Sequence, residues 1–389
     1  MSFYVQHGYG KSAKIFEVAE HGSLSGVVLS PGDEDVAGLT STVSGLQSSG
    51  LNAILDPQSY IYSTTPAGTA RCHSTHGLNF RQVKWSQSAQ DIAAQIDAIE
   101  AANVAVGIHG PMISPTCVQS TFTDIWTPLA LQYARSAVDS WGPDRTIASV
   151  AIDEGALTNW KDIADWLDVV TSIDARGFYI VVNRASKGYP PVPWDSTRLS
   201  NLLRLIYNLS EVNEYDVHWG YSDLEGMLGL AVGATAISSG WHYTLRQFFT
   251  SKWQPSPAGG QPPTVRMYIP ALWTPLKVQE ELSYVMRLSY SDEIVPPSIE
   301  SIFAARSFSS WTRPEAQVQF MAQLSLEAAG VVVSPDLPTR LDAIDASLSQ
   351  ASSLYGRIAR DGVVLPPAYA GRVANLRYAL EEMRSAEGL

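Results

Sequence analysis

Short apolar runs alternate with stretches of helical periodicity along most of this chain. Residues 26–30 (GVVLS) are closed by Pro31, the pattern of a strand buried on both faces. Residues 33–49 follow as a helix, acidic in its first turn and ended by Gly50. The same alternation predicts strands at 51–55, 104–108, 147–152, 178–182, 217–219, 235–237 and 265–272. Helices are predicted between them, at 89–102 (Ile92, Ile96 and Ile99 on one face), 125–141, a helix after the cap Asn159, 199–209 and 224–232. Eight strand-like runs alternating with helices predict an α/β fold, a (β/α)8 TIM-type barrel. A doubly wound open sheet is the competing architecture. Two further apolar stripes, Leu341 to Ile358 and Val373 to Met383, predict a pair of C-terminal helices packed on the barrel or on a partner. The expected division is a barrel over 1–290 and a mostly helical extension over 291–389.

In such a barrel, chemistry belongs at the carboxyl ends of the strands. Under this strand reading those ends supply Ser30, Asp56 and Gln58, His109, Asp153 and Glu154, and Asn183 with Arg184. The stretch 215–244 adds His218, Tyr221 and Asp223 after one strand, and Ser238, Ser239, Trp241 and His242 after the next. Asp56, Asp153 and Glu154 are the candidate catalytic carboxylates, since cleavage of a glycosidic bond needs an acid/base and a second carboxylate. The others are candidate ligand contacts: Arg184 for an anionic group, Trp241 and Tyr221 as stacking walls. Asp223 also reads as a cap for the helix at 224–232, and Trp219 as core. Residues 72–76 (CHSTH) resemble part of a metal site that His109 or Cys117 would complete, without the tight spacing of zinc motifs. Gly10-Lys11-Ser12 has no glycine five positions upstream and is no phosphate loop.

Composition narrows the field. The chain has 389 residues, 45% hydrophobic and 16% charged, enough for a large core. A formal net charge of −12 argues against coating nucleic acid by bulk electrostatics, though a nucleotide-sized ligand is compatible. Two cysteines rule out a disulfide framework or a four-cysteine zinc site. With no signal-like start and no membrane-length apolar run, a soluble cytoplasmic protein without cofactor is the expectation.

The segment VHWGYSDLEGMLGLAVGATAISSGWH, residues 217–242, resembles the tRNA-guanine transglycosylase family, especially its archaeal branch. The resemblance implies a (β/α)8 barrel and exchange of a guanine in RNA through a covalent aspartate–ribose link. Ser238 stands at the position matching that aspartate, and the chain has no Cys-x-Cys-x-x-Cys motif. Three readings follow. The first is a barrel enzyme acting on a glycosidic bond of a nucleobase, nucleoside or sugar. The second is a transglycosylase-like binding or scaffold subunit whose C-terminal helices dock a protein partner. The third is a metal-dependent hydrolase built on His73, His76, His109 and His218.

Overall fold

The computed structural model describes residues 2–63, 70–78, 80, 87–185, 190–254, 264–295, 310–333 and 336–389. Eight parallel strands form a nearly closed barrel of the TIM type, with helices between them. The eight are β1 (Ser2–Gln6), β2 (Gly26–Leu29), β3 (Asn52–Leu55), β4 (Met112–Ile113), β6 (Thr146–Asp153), β7 (Gly177–Asn183), β8 (Asp216–Trp219) and β9 (Ala236–Ser239), and a short β5 (Val118–Gln119) lies off this path. Around the barrel the order is β3, β2, β1, β9, β8, β7, β6, β4, with β5 pairing the far half of β6. The remaining seam lies between β3 and β4, which are in contact without a ladder.

Two expected strands are replaced. Residues 104–108 are not a strand: the helix Ala89–Ala105 runs through their start, and Gly107, at φ +84°, turns the chain toward β4. A run of five apolar residues fits a helix tail as well as a buried strand, and here the stripe Ile92, Ile96, Ile99 continues into buried Ala102. Residues 265–272 do contain a strand, β10 (Arg266–Ile269), but it pairs antiparallel with β11 (Thr274–Lys277) outside the barrel. The barrel is completed instead by β1, which pairs in parallel with β2 on one side and β9 on the other.

The helices predicted between strands are present with shifted ends, and Lys14–His21, between β1 and β2, is an outer helix that the pattern did not predict. Asp35 caps Val36–Ser48 and Asn159 caps Trp160–Val170 through their side chains. The helix Arg313–Val332 packs on β1 and on Lys14–His21, so the stretch read as an extension supplies the outer helix that follows β9. It also seals the free edge of β10: the Gln319 amide donates to the Tyr268 carbonyl (2.9 Å) and accepts from its N–H (3.0 Å).

Leu337–Arg360 and Pro367–Glu387 bury the predicted stripes within this same chain, including Leu341, Ile344, Leu348, Val373, Leu376, Leu380 and Met383. Pro367–Glu387 lies along Ser196–Tyr207 and drives Arg372 into the barrel wall. There its guanidinium meets Asp223 (2.9 Å) and both oxygens of Glu225 (2.9 and 2.6 Å), all three side chains being buried. Among the described residues no helix is long and apolar enough to cross a membrane.

Removing one member of a buried ion cluster leaves the others uncompensated, at about 3–5 kcal/mol. Arg372→Met is therefore expected to lower the urea midpoint sharply. Arg384→Ala, which breaks a solvent-facing pair with Asp342, should cost less than about 1 kcal/mol in the same titration.

Candidate functional site

The carboxyl end of the barrel holds a buried polar cluster centred on Asp56, at the end of β3. One carboxylate oxygen accepts from the Gln58 amide (3.0 Å). The other accepts from the hydroxyls of Tyr60 (2.7 Å) and, more weakly, Tyr179 (3.4 Å). Burial pushes the Asp56 carboxyl up to about 6, against the opposing pull of Tyr60, the Gln58 amide, Lys252 and Tyr179. Gln6, at the carboxyl end of β1, accepts from Ser238 (2.9 Å), and its amide oxygen lies 3.4 Å from the Tyr179 hydroxyl as an alternative acceptor to Asp56. Gly220 makes room for this arrangement, because a Cβ there would sit 2.5 Å from the Tyr179 hydroxyl. Gln58 (φ +55°) and Tyr221 (φ +54°) both hold left-handed backbone at the strand ends flanking the cluster, a conformation that costs energy in residues other than glycine.

A roof closes over these groups. Phe248 packs on Tyr60 (4.9 Å between centroids), Tyr221 (5.5 Å) and Trp253 (5.7 Å). The segment is pinned to the end of β7, with Arg184 N donating to the Phe248 carbonyl (3.0 Å) and Thr250 N to the Asn183 side chain (2.9 Å). Lys252 points inward from it. Its ammonium is buried, 3.8 Å from Asp33, and both Asp33 and Asp56 favour its charge while burial pushes its pKa down. Asp33 in turn accepts from Ser30 (2.8 Å), whose hydroxyl also meets Gln58 (2.9 Å).

Beside this cluster opens a cavity of about 570 Å³, lined by Asp33, Lys252, Lys14, Trp241, His242 and Arg313 among others. Its size is that of a small-molecule site. Burial and the neighbouring Arg246, Lys252 and Arg313 hold His242 down at about 4, so its imidazole is neutral at physiological pH. Ser239 Oγ and Gln6 Nε2 are buried at this end of the barrel without a hydrogen-bond partner among the described residues.

The expected site residues divide into five groups. Asp56, Gln58, Tyr221, Ser238, Ser239, Trp241 and His242 gather at the carboxyl mouth, with Ser238 committed to Gln6. Asp153 and Asn183 are hydrogen-bonded to each other at the ends of β6 and β7. Glu154 is held by Arg184 (2.9 Å) and Arg198 (3.2 Å), with Arg184 also stacked on Trp194. Asp223 neither caps a helix nor faces the cavity, being consumed by Arg372.

His109 and His218 fall at the opposite, amino-terminal mouth. His109 moves there because 104–108 leads into β4 instead of forming a strand. His218 is interior to β8, not beyond its end. The histidines of the hydrolase reading are not assembled: among the described residues no group of three or more His, Cys, Asp or Glu is placed to hold a metal ion. His73 meets the Tyr62 hydroxyl (3.0 Å) and His76 the Glu34 carbonyl (2.8 Å). Cys117 is buried, its thiol 3.4 Å from the Trp126 carbonyl. Lys11, of the discarded phosphate-loop motif, pairs with Glu34 and Thr42. Within the loop at 59–86, residues 64–69, 79 and 81–86 lie outside the described residues, as do residues 255–263.

No protein-family model matches the chain, and no curated protein does. The site is therefore read from its own geometry. Reading strand ends from sequence missed Gln6, Asp33, Tyr60, Tyr179 and Lys252. The tyrosines lie inside a strand and a loop, and Lys252 follows no motif.

Asp56 titrates near 3.8 when unfolded and about 6 when folded, so folding favours its neutral form. That contribution is complete below about pH 4 and is lost as pH rises through about 6, a difference on the order of 3 kcal/mol. Glu327, pushed by burial to about 7 beside Tyr268, titrates in the same range and shares this sign. Asp56→Asn should accordingly gain stability relative to the parent chain between about pH 4 and pH 8, read by urea unfolding at both ends of that range.

Proposed function

We propose that this chain is a barrel enzyme acting on a glycosidic bond of a nucleobase, nucleoside or sugar, with Asp56 as the proton-donating acid. One observation carries the reading: a buried carboxyl held near neutrality by its surroundings, sharing Lys252 with a second carboxylate, Asp33, that lines a ligand-sized cavity. Glycosidic cleavage needs two carboxyl groups, one of them able to donate a proton near neutral pH. Burial raises the proton affinity of Asp56, and Asp33 supplies the second carboxyl, 3.8 Å from the Lys252 ammonium. Asp56 donates to the leaving group, and Asp33 faces the electron-poor sugar carbon or the water that attacks it. Tyr60 and Tyr179 donate to the carboxylate left behind, so the proton can be lost without stranding a bare buried charge. Trp241 supplies a flat cavity wall for a ring.

Asp153 and Glu154 are set aside as the acid/base pair, because their oxygens are engaged by Asn183, Arg184 and Arg198. The resemblance to transglycosylases enters only through the substrate class, since Ser238 spends its hydroxyl on Gln6.

Release of free base or sugar from a panel of nucleosides and nitrophenyl glycosides tests the proposal. Asp56→Asn is expected to lower turnover at least about 100-fold, and Asp153→Asn to leave it within a few-fold. Because Asp56 must be protonated, activity should fall as pH rises through about 6. Turnover indifferent to Asp56→Asn sinks the acid assignment. A folded protein that turns over nothing in the panel favours the binding or scaffold reading instead.

A further inference from the structure

The amino-terminal mouth of a barrel of this type is ordinarily given over to packing and stability. Here it contains a cavity of about 450 Å³, large enough for a small molecule. His218 reaches into it from β8, 6% exposed, with Nε2 lacking any hydrogen-bond partner among the described residues. Its ring is fixed by Tyr4 (5.1 Å between centroids) and by the edge of Tyr179 (5.3 Å, interplanar 87°). Gly26 on the neighbouring strand leaves the space for Tyr4, since a Cβ there would lie 2.5 Å from the ring. Burial pushes the His218 pKa down to about 3, so the imidazole is neutral and carries one donor and one acceptor. Tyr4, Phe178 and Ile54 give apolar walls, and the Arg176–Asp216 pair (2.9 Å) stands among the lining residues.

We propose that this cavity is a second small-molecule site, and that it takes a neutral planar heteroaromatic ring bearing hydrogen-bond donors and acceptors along its edge, as a free nucleobase does. Flat apolar walls select a ring. The guanidinium and carboxylate standing together offer a donor and an acceptor, and His218 offers one more contact beyond them. A purely anionic ligand is disfavoured, because it would have to displace Asp216 from Arg176 and finds no other cation in the lining. The site is independent of the glycosidic reading and lies at the other end of the barrel. Tyr179 touches both sides, its ring against His218 and its hydroxyl toward Asp56.

Titration calorimetry of the full chain with adenine, hypoxanthine, cytosine and uracil, with benzoate as the anionic comparison, tests it. The expected result is saturable one-site binding of at least one base. It should be weakened about tenfold by Arg176→Ala or His218→Leu and unchanged by Asp56→Asn. Arg176 is half exposed, so that variant remains a usable test if His218→Leu does not fold. No binding of any base up to about 5 mM overturns the proposal. So does benzoate binding more tightly than the bases. Binding lost in Asp56→Asn but kept in Arg176→Ala also overturns it, by moving the ligand to the opposite mouth.

Discussion

A barrel interior this small cannot carry an unshared charge, and that constraint governs the placement of nearly every polar side chain in the core. Asp56 is the clearest case. Its carboxyl is shielded from water, so it keeps its proton to an unusually high pH and draws two tyrosine hydroxyls and a backbone amide around it. Lys252 is held under the opposite pressure, its charge tolerated because Asp33 and Asp56 lie nearby. The two effects oppose each other, leaving a carboxyl and an ammonium that both move toward neutrality. Groups with that property are the ones suited to passing protons.

The same electrostatic rule joins the C-terminal helices to the barrel. Glu225 and Asp223 are buried just beyond β8, where two carboxylates side by side would repel. Burial, the first influence on Asp223, raises its pKa, and Glu225 raises it further, while Arg372 opposes both. The helix Pro367–Glu387 is thus more than a cover for apolar surface: it delivers the cation that lets the eighth-strand turn exist in its folded form. Arg340 plays a lesser version of this part from Leu337–Arg360, donating to the Ala231 carbonyl (3.2 Å) and pairing with Glu211. Barrel and terminal helices are bound by charge as well as by the stripes of Leu and Val that run between them.

The architecture was legible because a strand buried on both faces is apolar through most of its length, as β2 and β7 are in their inner portions, while β6, β8 and β9 carry single polar interruptions such as Ser149, His218 and Ser238. The strand count came out right through two compensating exchanges. SFYVQ at residues 2–6 carries the strand signal but is only five residues long, ends in a glutamine, and finds a partner far away in sequence. VAVGI at 104–108 carries the same local signal, and only the packing of Ile92, Ile96 and Ile99 assigns its start to a helix. The polar cluster at the carboxyl mouth was legible where its members sit at strand ends, as with Asp56, Gln58 and Tyr221. It was illegible where it depends on a crossing, as with Lys252, which arrives on a roof anchored to β7 by two backbone N–H groups. Misplacing one strand also carried His109 to the wrong mouth.

The position of β1 between β2 and β9 has a consequence in time. Ser2 pairs with Ala236, some 230 residues downstream, so during synthesis the first strand waits with one edge open. At 5–20 residues per second that interval is roughly ten to fifty seconds, far longer than the microseconds a hairpin needs. Gln6, whose amide ties Tyr179 and Ser238 together, sits on that waiting strand. The interior of the carboxyl end of the barrel therefore cannot be assembled piecemeal. It forms in one late event, when β9 reaches the exposed edge of the strand made first.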